Sequence, residues 1–347
     1  MAFDEKLSAI FSEKKKALRE KKEVKESVSI LKMKVLDLFS IYISRQPNNP
    51  NLVHLILPLL SFIKRFQGAE GHANATDKAA RIVSKELTKL ELEDVDLEVI
   101  ENILTEIDQL ARKAPGVQQK LYLPIALFSV RHLESQAFDK VLEVYKNTLK
   151  WTLTNKKSTI KPQWFIELFQ QSLPLGWALG ESLLSYLDPN TALNPFRLTK
   201  TLELLNSLIN TSIKRKYTAE GGKAFINSIF IAIEDMIKFS INNTDNKIVK
   251  VDQIKEGLRL SMKLKQYIKA VELDSDYQPW MSEEFKQNLV KFCGLFDSNS
   301  SSLVSLYKQL TGNKLDIVKS ANTAGNKRSL KENGAKKSKK QKVNKKN

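Results

Sequence analysis

The chain has 347 residues, 42% of them hydrophobic, enough to bury a sizeable core in one extended domain or two ordinary ones. Twelve glycines and ten prolines are about half the usual share, which disfavours strand-and-turn folds and favours helix throughout. One cysteine, Cys293, excludes an internal disulfide framework and any multi-cysteine zinc module, and His54, His72 and His132 share no ligand spacing.

The first residues, MAFDEKLSAI, carry acids where a signal peptide needs a basic start and an apolar core. The longest apolar stretch, Leu52 to Ile63, is too short to span a bilayer and contains His54, Pro58 and Ser61. A soluble intracellular chain with no membrane partner is therefore expected. Residues 4–26 read as a polar, basic lead helix, with a short apolar start (Phe3, Leu7, Ile10, Phe11, Leu18) and seven cations from Lys14 to Lys25. From Val28 the pattern becomes Val28, Leu31, Val35, Leu38, Phe39 and Tyr42, the 3-4 spacing of a helix with one buried face. Pro47 and Pro50 end it, and a second helix is expected from there to Phe66, kinked at Pro58. The segment GAEGHANAT reads as a loop, with Thr76 as a cap for the helix after it.

The cleanest stripe is Leu97, Ile100, Ile103, Leu104, Ile107, Leu110 and Ala111, with acids at nearly all outward positions; Pro115-Gly116 breaks it. Further helices are expected over 117–133, 137–154, 162–171, 175–187, 196–215, 219–241, 251–271, 281–296 and 301–311. They are separated by Pro162, Pro174, Asp188-Pro189, Asn194-Pro195, Gly221-Gly222, the NNTDN turn at 242–246 and Pro279. No five-residue window alternates clearly, so no strand is assigned. About a dozen helices with short connections fit an all-α solenoid of the HEAT or armadillo kind over 27–312, with a compact helical bundle as the competing fold. No sequence self-similarity near 40 residues is visible.

The sequence offers little catalytic chemistry. Gly221-Gly222-Lys223 lacks the glycine and the Ser/Thr that a phosphate-binding loop needs, and reads as a helix entry. Asp274 and Asp276 are paired carboxylates of the type that hold two metals in polymerases. No strand framework accompanies them, and they read as a turn before Pro279. No metal or cofactor is expected.

The net charge of +17 is uneven. Residues 319–347 hold eleven Lys/Arg and one acid, Glu332, and residues 1–34 hold ten Lys/Arg and six acids, so the body between them is nearly balanced. The tail from 313 to 347 is poor in apolar residues and is expected to be disordered. Its cations, Lys327, Arg328, Lys336, Lys337, Lys339, Lys340, Lys342, Lys345 and Lys346, form runs that serve as nuclear import signals and phosphate-binding tails; a merely solubilising end is the alternative. On the body, Lys255, Arg259 and Lys263 form an i, i+4, i+8 stripe that reads either as a solvated face or as a nucleic-acid contact.

The opening residues carry a resemblance. Asp4, Glu5, Leu7, Ile10 and Phe11, then Lys32 and Val35 to Leu38, then the turn of Gln46, Pro47, Asn49 and Pro50 leading into Ile56 to Leu60, resemble the C-terminal region of the Myb-binding protein 1A / DNA polymerase phi family, whose fungal members are called the fifth DNA polymerase. Beyond about residue 66 the likeness thins to helical character and the Lys-rich end. The resemblance implies the C-terminal third of a longer protein, beginning just after an acidic tract, with Met1 a fragment start. It also implies a nucleolar protein that binds ribosomal DNA and supports rRNA transcription and ribosome production.

The expected function is thus a non-catalytic scaffold in the nucleus and nucleolus. Its expected partners are nucleic acid (rDNA or rRNA), nucleolar proteins and an import receptor. The family's polymerase name keeps a nucleotidyltransferase as one rival, although no residue of this chain is assigned to that chemistry. A helical-repeat adaptor that binds only proteins is the other.

Overall fold

The computed structural model describes residues 2–116, 118–192, 194–243, 245, 248–272, 278–295 and 300–315, without the side chains of 2–10 and 300. The Lys-rich tail beyond 315, the Asp274–Tyr277 segment and part of the 242–246 turn lie outside them. Among the described residues there is no strand.

The first helix, α1 (Ala2–Arg45), is continuous across residue 26, where the sequence pattern changes. No glycine or proline interrupts it before Pro47, so the change at Val28 marks a change of surface rather than an end of helix. After Asn49, whose side chain accepts from the Asn51 N–H, Pro50–Leu55 forms a 3-10 turn, and α2 (Ile56–Phe66) follows. The expected kink at Pro58 is replaced by this change of helix type two residues earlier. Pro58 then sits in the first turn of α2, where its missing N–H costs nothing.

Next comes α3 (Ala73–Arg81), with His72 as N-cap. Thr76 is therefore inside the helix and not its cap; its Oγ1 donates back to the Ala73 carbonyl at 2.8 Å. A π turn (Ile82–Glu86) and a 3-10 turn (Leu87–Lys89) continue from α3. The remaining helices are α4 (Leu97–Lys113), α5 (Gln119–Leu133), α6 (Phe138–Thr154), α7 (Gln163–Gln171), α8 (Leu173–Ser185), α9 (Pro195–Arg215), α10 (Gly222–Asn242), α11 (Val251–Ala270), α12 (Glu283–Leu295) and α13 (Ser300–Thr311). Asp96, Ser172 and Asn194 cap α4, α8 and α9 through side-chain oxygens that accept backbone N–H groups. Gly221, at φ +71°, provides the left-handed entry to α10.

Among the described residues the main helix contacts are between near neighbours in chain order: α4 against α5 and α6, α9 against α7, α8 and α11, and α11 against α10 and α13. Hydrogen bonds between helices show the same stacking at a recurrent offset. Ser29 reaches Gly71, 42 residues on; Lys140 reaches Glu101 at 39; Gln119 reaches Thr159 at 40; Gln171 reaches Leu127 at 44; Arg197 reaches Asn155 at 42; and Lys265 reaches Leu310 at 45. The architecture is an all-α solenoid in which each helix pair closes the core of the pair before it. At α9 to α11, helices of 20 or 21 residues stretch the offset to 50 for Tyr267 to Tyr217 and 54 for Gln253 to Thr199.

One hub ties these long helices together. Trp177 on α8 donates its indole N–H to Ser212 Oγ at 3.0 Å. Its ring packs against Phe225 at 5.0 Å, Tyr267 at 5.7 Å and Tyr217 at 6.5 Å between centroids. Gly180, one turn along α8, lets the Phe225 ring lie on the helix backbone, since a Cβ there would stand 2.5 Å from it.

Candidate nucleic-acid and docking surfaces

Of the expected nucleic-acid contacts, only the body stripe falls within the described residues; Lys327, Arg328, Lys336, Lys337, Lys339, Lys340, Lys342, Lys345 and Lys346 lie outside them. Lys255, Arg259 and Lys263 do share one side of α11, as their spacing requires. Each already has an acceptor on its own helix. Lys255 Nζ lies 3.6 Å from Asp252, with its side chain only 20% exposed. Arg259 pairs with Glu256, and Lys263 Nζ reaches Gln266 Oε1 at 3.2 Å. Binding a phosphate here means exchanging these partners, which offsets much of the gain.

The first helix offers a different surface. Residues 11–28 are exposed on all sides and present Lys14, Lys15, Lys16, Arg19, Lys21, Lys22 and Lys25, of which Arg19 pairs with Glu23 and Lys22 with Glu26. From residue 29 on, one face buries Leu36 and Ile43 against the body, with Met33 and Phe39 beside them. Lys32 lies 3.5 Å over the Phe66 ring, and Lys78 pairs with Asp37. The opposite face is apolar too: Ile30, Leu31, Val35, Leu38 and Ile41 are exposed, Leu38 by 63%. A groove of about 1010 Å³ runs along Leu18, Val24 and Ile30 to the Glu70-Gly71-His72 loop. Of the face expected to be buried, only Phe39 turns inward; Val28, Leu31, Val35, Leu38 and Tyr42 are exposed, and the buried face is instead that of Leu36 and Ile43, so the helix is apolar on both sides.

Asp108, in the stripe of α4 read as outwardly acidic, is instead buried. It pairs with Arg112 at 2.5 Å and accepts the Thr148 hydroxyl from α6. Burial raises its carboxyl above the ordinary value despite Thr148 and Arg112, which both favour the ionised form. Burial, then the Asp108 charge, raises the neighbouring Tyr145 hydroxyl. This is a polar clamp between successive helix pairs. Its only sequence signal is an i, i+4 Asp–Arg pair, which also occurs on open surfaces.

Among the described residues no three His, Cys, Asp or Glu side chains are grouped to hold a metal, and no helix is long and apolar enough to cross a membrane. His132 Nδ1 lies 2.9 Å from the Phe128 carbonyl of its own helix. Cys293 is buried, and burial pushes its thiol up to about 11, away from nucleophilic use.

A stacked-helix solenoid with a two-faced first helix and basic surfaces outside its core defines a helical-repeat protein of the scaffold class. The profile of the family described as Myb-binding protein 1A-like, TPR repeats, matches residues 46–313, and the chain belongs to that family. The profile described as DNA polymerase phi matches residues 1–43. The two matches meet at the end of α1, so the two-faced helix is the polymerase phi-like part. A Myb-binding protein 1A-like protein from Danio rerio is 25% identical over 198 residues, 49% of this chain and 16% of the relative. The chain thus matches well under two thirds of that relative's length. No solved structure matches. The recurrent offset of roughly 40 is longer than the about 34 residues of a tetratricopeptide unit and near the about 40–47 of HEAT and armadillo units.

Proposed function

We propose that the chain is a non-catalytic scaffold of the nucleus, concentrated in the nucleolus, that binds ribosomal DNA or rRNA and supports rRNA transcription and ribosome production. It has three parts: a basic lead segment, 1–26, a helical-repeat body, 27–312, and a Lys-rich tail, 313–347. The tail supplies import-receptor recognition and sequence-independent phosphate affinity, while nucleolar proteins dock on the body. The partition of charge carries this reading: net +10 sits in residues 319–347, while two of the three cations of the body's stripe, Lys255 and Arg259, are already paired with carboxylates. Family membership supports the scaffold role. In a filter-binding assay the whole chain is expected to retain ribosomal DNA and rRNA, with affinity falling steeply as salt rises. Failure to retain either at low salt would leave the protein-only adaptor. The polymerase phi match favours the enzymatic rival, and primer extension by the chain, lost on heating, would establish it instead.

The exposed face of α1 is assigned to a covering helix, because it is apolar rather than charged and runs along the same helix as the buried face. Left uncovered, about 25 cal/mol per Å² of apolar area favours self-association. The chain on its own is therefore expected to form oligomers in sedimentation velocity. Leu31→Asp with Leu38→Asp is expected to restore the monomer while changing stability by less than about 0.5 kcal/mol, since both side chains are already exposed. A native chain that sediments as a monomer at all concentrations would remove the reason for a covering helix.

A further inference from the structure

We propose that the cleft between the end of α6, the segment after α8 and the first turns of α9 binds a single free tetrahedral oxyanion of the phosphate class, with Arg197 as its principal ligand. The cleft holds about 70 Å³ and is lined by Leu153, Thr154, Tyr186, Thr191, Ala192, Arg197 and Thr201. Arg197 is 6% exposed. Its Nη2 donates to the Asn155 carbonyl at 2.7 Å, whereas its Nη1 is buried and finds no acceptor among the described residues. No carboxylate among them lies within ion-pair distance of this guanidinium. The guanidinium has besides only the Phe196 ring, 6.0 Å from its carbon, and a buried cation so weakly compensated is an expensive arrangement, which a bound anion relieves.

The surroundings select an anion and its size. Arg197 is the third residue of α9, a 21-residue helix whose N-cap, Asn194, accepts the Arg197 N–H at 3.0 Å. The positive end of the helix thus adds to the guanidinium charge. Lys200, one turn on, is depressed by burial and then by the charge of Arg197, with Glu203 only opposing. Glu203 acts on Lys200 and leaves the guanidinium charge uncompensated. The hydroxyls of Thr154, Thr191 and Thr201 donate to the carbonyls of Lys150, Asp188 and Arg197. The Tyr186 hydroxyl makes no hydrogen bond to the described residues and is the second donor available to an anion. The cleft, at about 70 Å³, admits an ion of phosphate size. A cation is disfavoured by every charge facing the cleft.

This site is independent of the nucleic-acid reading, and its test separates the two. The whole chain is heated in inorganic phosphate, glycerol 3-phosphate or chloride, each at equal ionic strength. About 10 mM phosphate is expected to raise Tm by about 2–3 °C over chloride if Kd is near about 1 mM. Phosphate also stabilises proteins by exclusion from their surface, an effect common to native and variant chains, so the difference between them is the readout. Arg197→Met is expected to lose the phosphate-specific shift. Because it also loses the Asn155 contact, Ala192→Leu serves as the second variant: it fills the cleft and leaves Arg197 in place. Tyr186→Phe is expected to weaken phosphate binding about threefold to tenfold in calorimetric titration. A smaller shift with glycerol 3-phosphate than with inorganic phosphate is expected; one as large overturns the assignment of a free ion. No phosphate-specific shift in the native chain, or one that persists in Ala192→Leu, overturns the proposal and leaves water in the cleft.

Discussion

Truncation of residues 319–347 is expected to weaken binding to any duplex DNA by two to three orders of magnitude at moderate salt. It is expected to leave the melting temperature of the body unchanged. The deletion takes the net charge from +17 to +7 and removes few apolar side chains, none larger than Leu330. Each lysine set against a phosphate releases condensed counterion. If about six of the eleven cations engage, the tail contributes a slope of roughly −5 in log K against log salt. The full chain then loses about 10³ in affinity between 50 and 200 mM salt, while the truncated chain responds far less steeply. Scrambling the DNA sequence is expected to change neither value much, because lysine runs position on phosphates and do not read base edges. Nuclear accumulation is expected to fall with the same deletion. If affinity, slope and localisation all survive, binding belongs to the body. Lys255→Gln, Arg259→Gln and Lys263→Gln together then become the next variant, with the exposed cations of α1 after them.

The helices were legible in the sequence because their signals are local. Stripes at 3-4 spacing, Asn194-Pro195, Ser172 with Pro174 and Gly221-Gly222 each act within a turn or two of the boundary they set. What escaped depends on contacts about 40 residues away. The π and 3-10 turns at 82–89 contain no breaker. They sit where a tertiary contact is made: Arg131 on α5 donates to the Thr88 carbonyl at 2.6 Å. Asp108 looks like any outward acid until α6 brings Thr148 over it. The repeat itself left no trace in residue identity. Packing demands only an apolar side chain of suitable size at each offset, so the period survives in contacts such as Gln119–Thr159 and Arg197–Asn155 while the letters drift.

The surfaces followed the same division. The stripe of Lys255, Arg259 and Lys263 was visible as spacing, but the pairing of Lys255 with Asp252 and of Arg259 with Glu256 depends on rotamers that spacing does not specify. The exposed face of α1 was half legible: Val28, Leu31, Val35 and Leu38 are periodic, yet periodicity names one apolar stripe. Only the burial of Leu36, Ile43, Met33 and Phe39 on the other side reveals that this stripe faces outward. Arg197 carried no signal beyond its place after a proline. Its meaning depends on the absence of a carboxylate among the described residues around it.

Because each helix pair packs mainly on its neighbours, damage to one layer is expected to stay local, and Trp177→Ala is the sharpest way to observe this. The side chain is 8% exposed and joins α8 to Ser212 on α9, Phe225 on α10 and Tyr267 on α11. Removing a buried tryptophan costs about 3–5 kcal/mol, the upper part applying where the cavity cannot collapse. Collapse is restricted here: Gly180 already holds Phe225 against the α8 backbone, and the Tyr267 hydroxyl is tied to the Tyr217 carbonyl at 3.0 Å. Ser212 keeps its own bond to the Leu208 carbonyl at 2.9 Å, so the lost indole N–H is the smaller part of the cost. Trp177→Phe, which keeps an aromatic ring but not the N–H or the full volume, is expected to cost about 1–2 kcal/mol. In a chain whose stability is a sum of layer and interface contributions, the loss should fall on α8 to α11. Hydrogen exchange is then expected to quicken there by about two to three orders of magnitude, while amides of α4 to α6 keep their protection. Urea unfolding of the alanine variant is expected to show two transitions where the native chain shows one broader transition. Equal loss of protection from α2 to α13, with a single sharp transition, would mean that the helices fold as one cooperative unit. The nearest-neighbour description of this solenoid would then have to be abandoned.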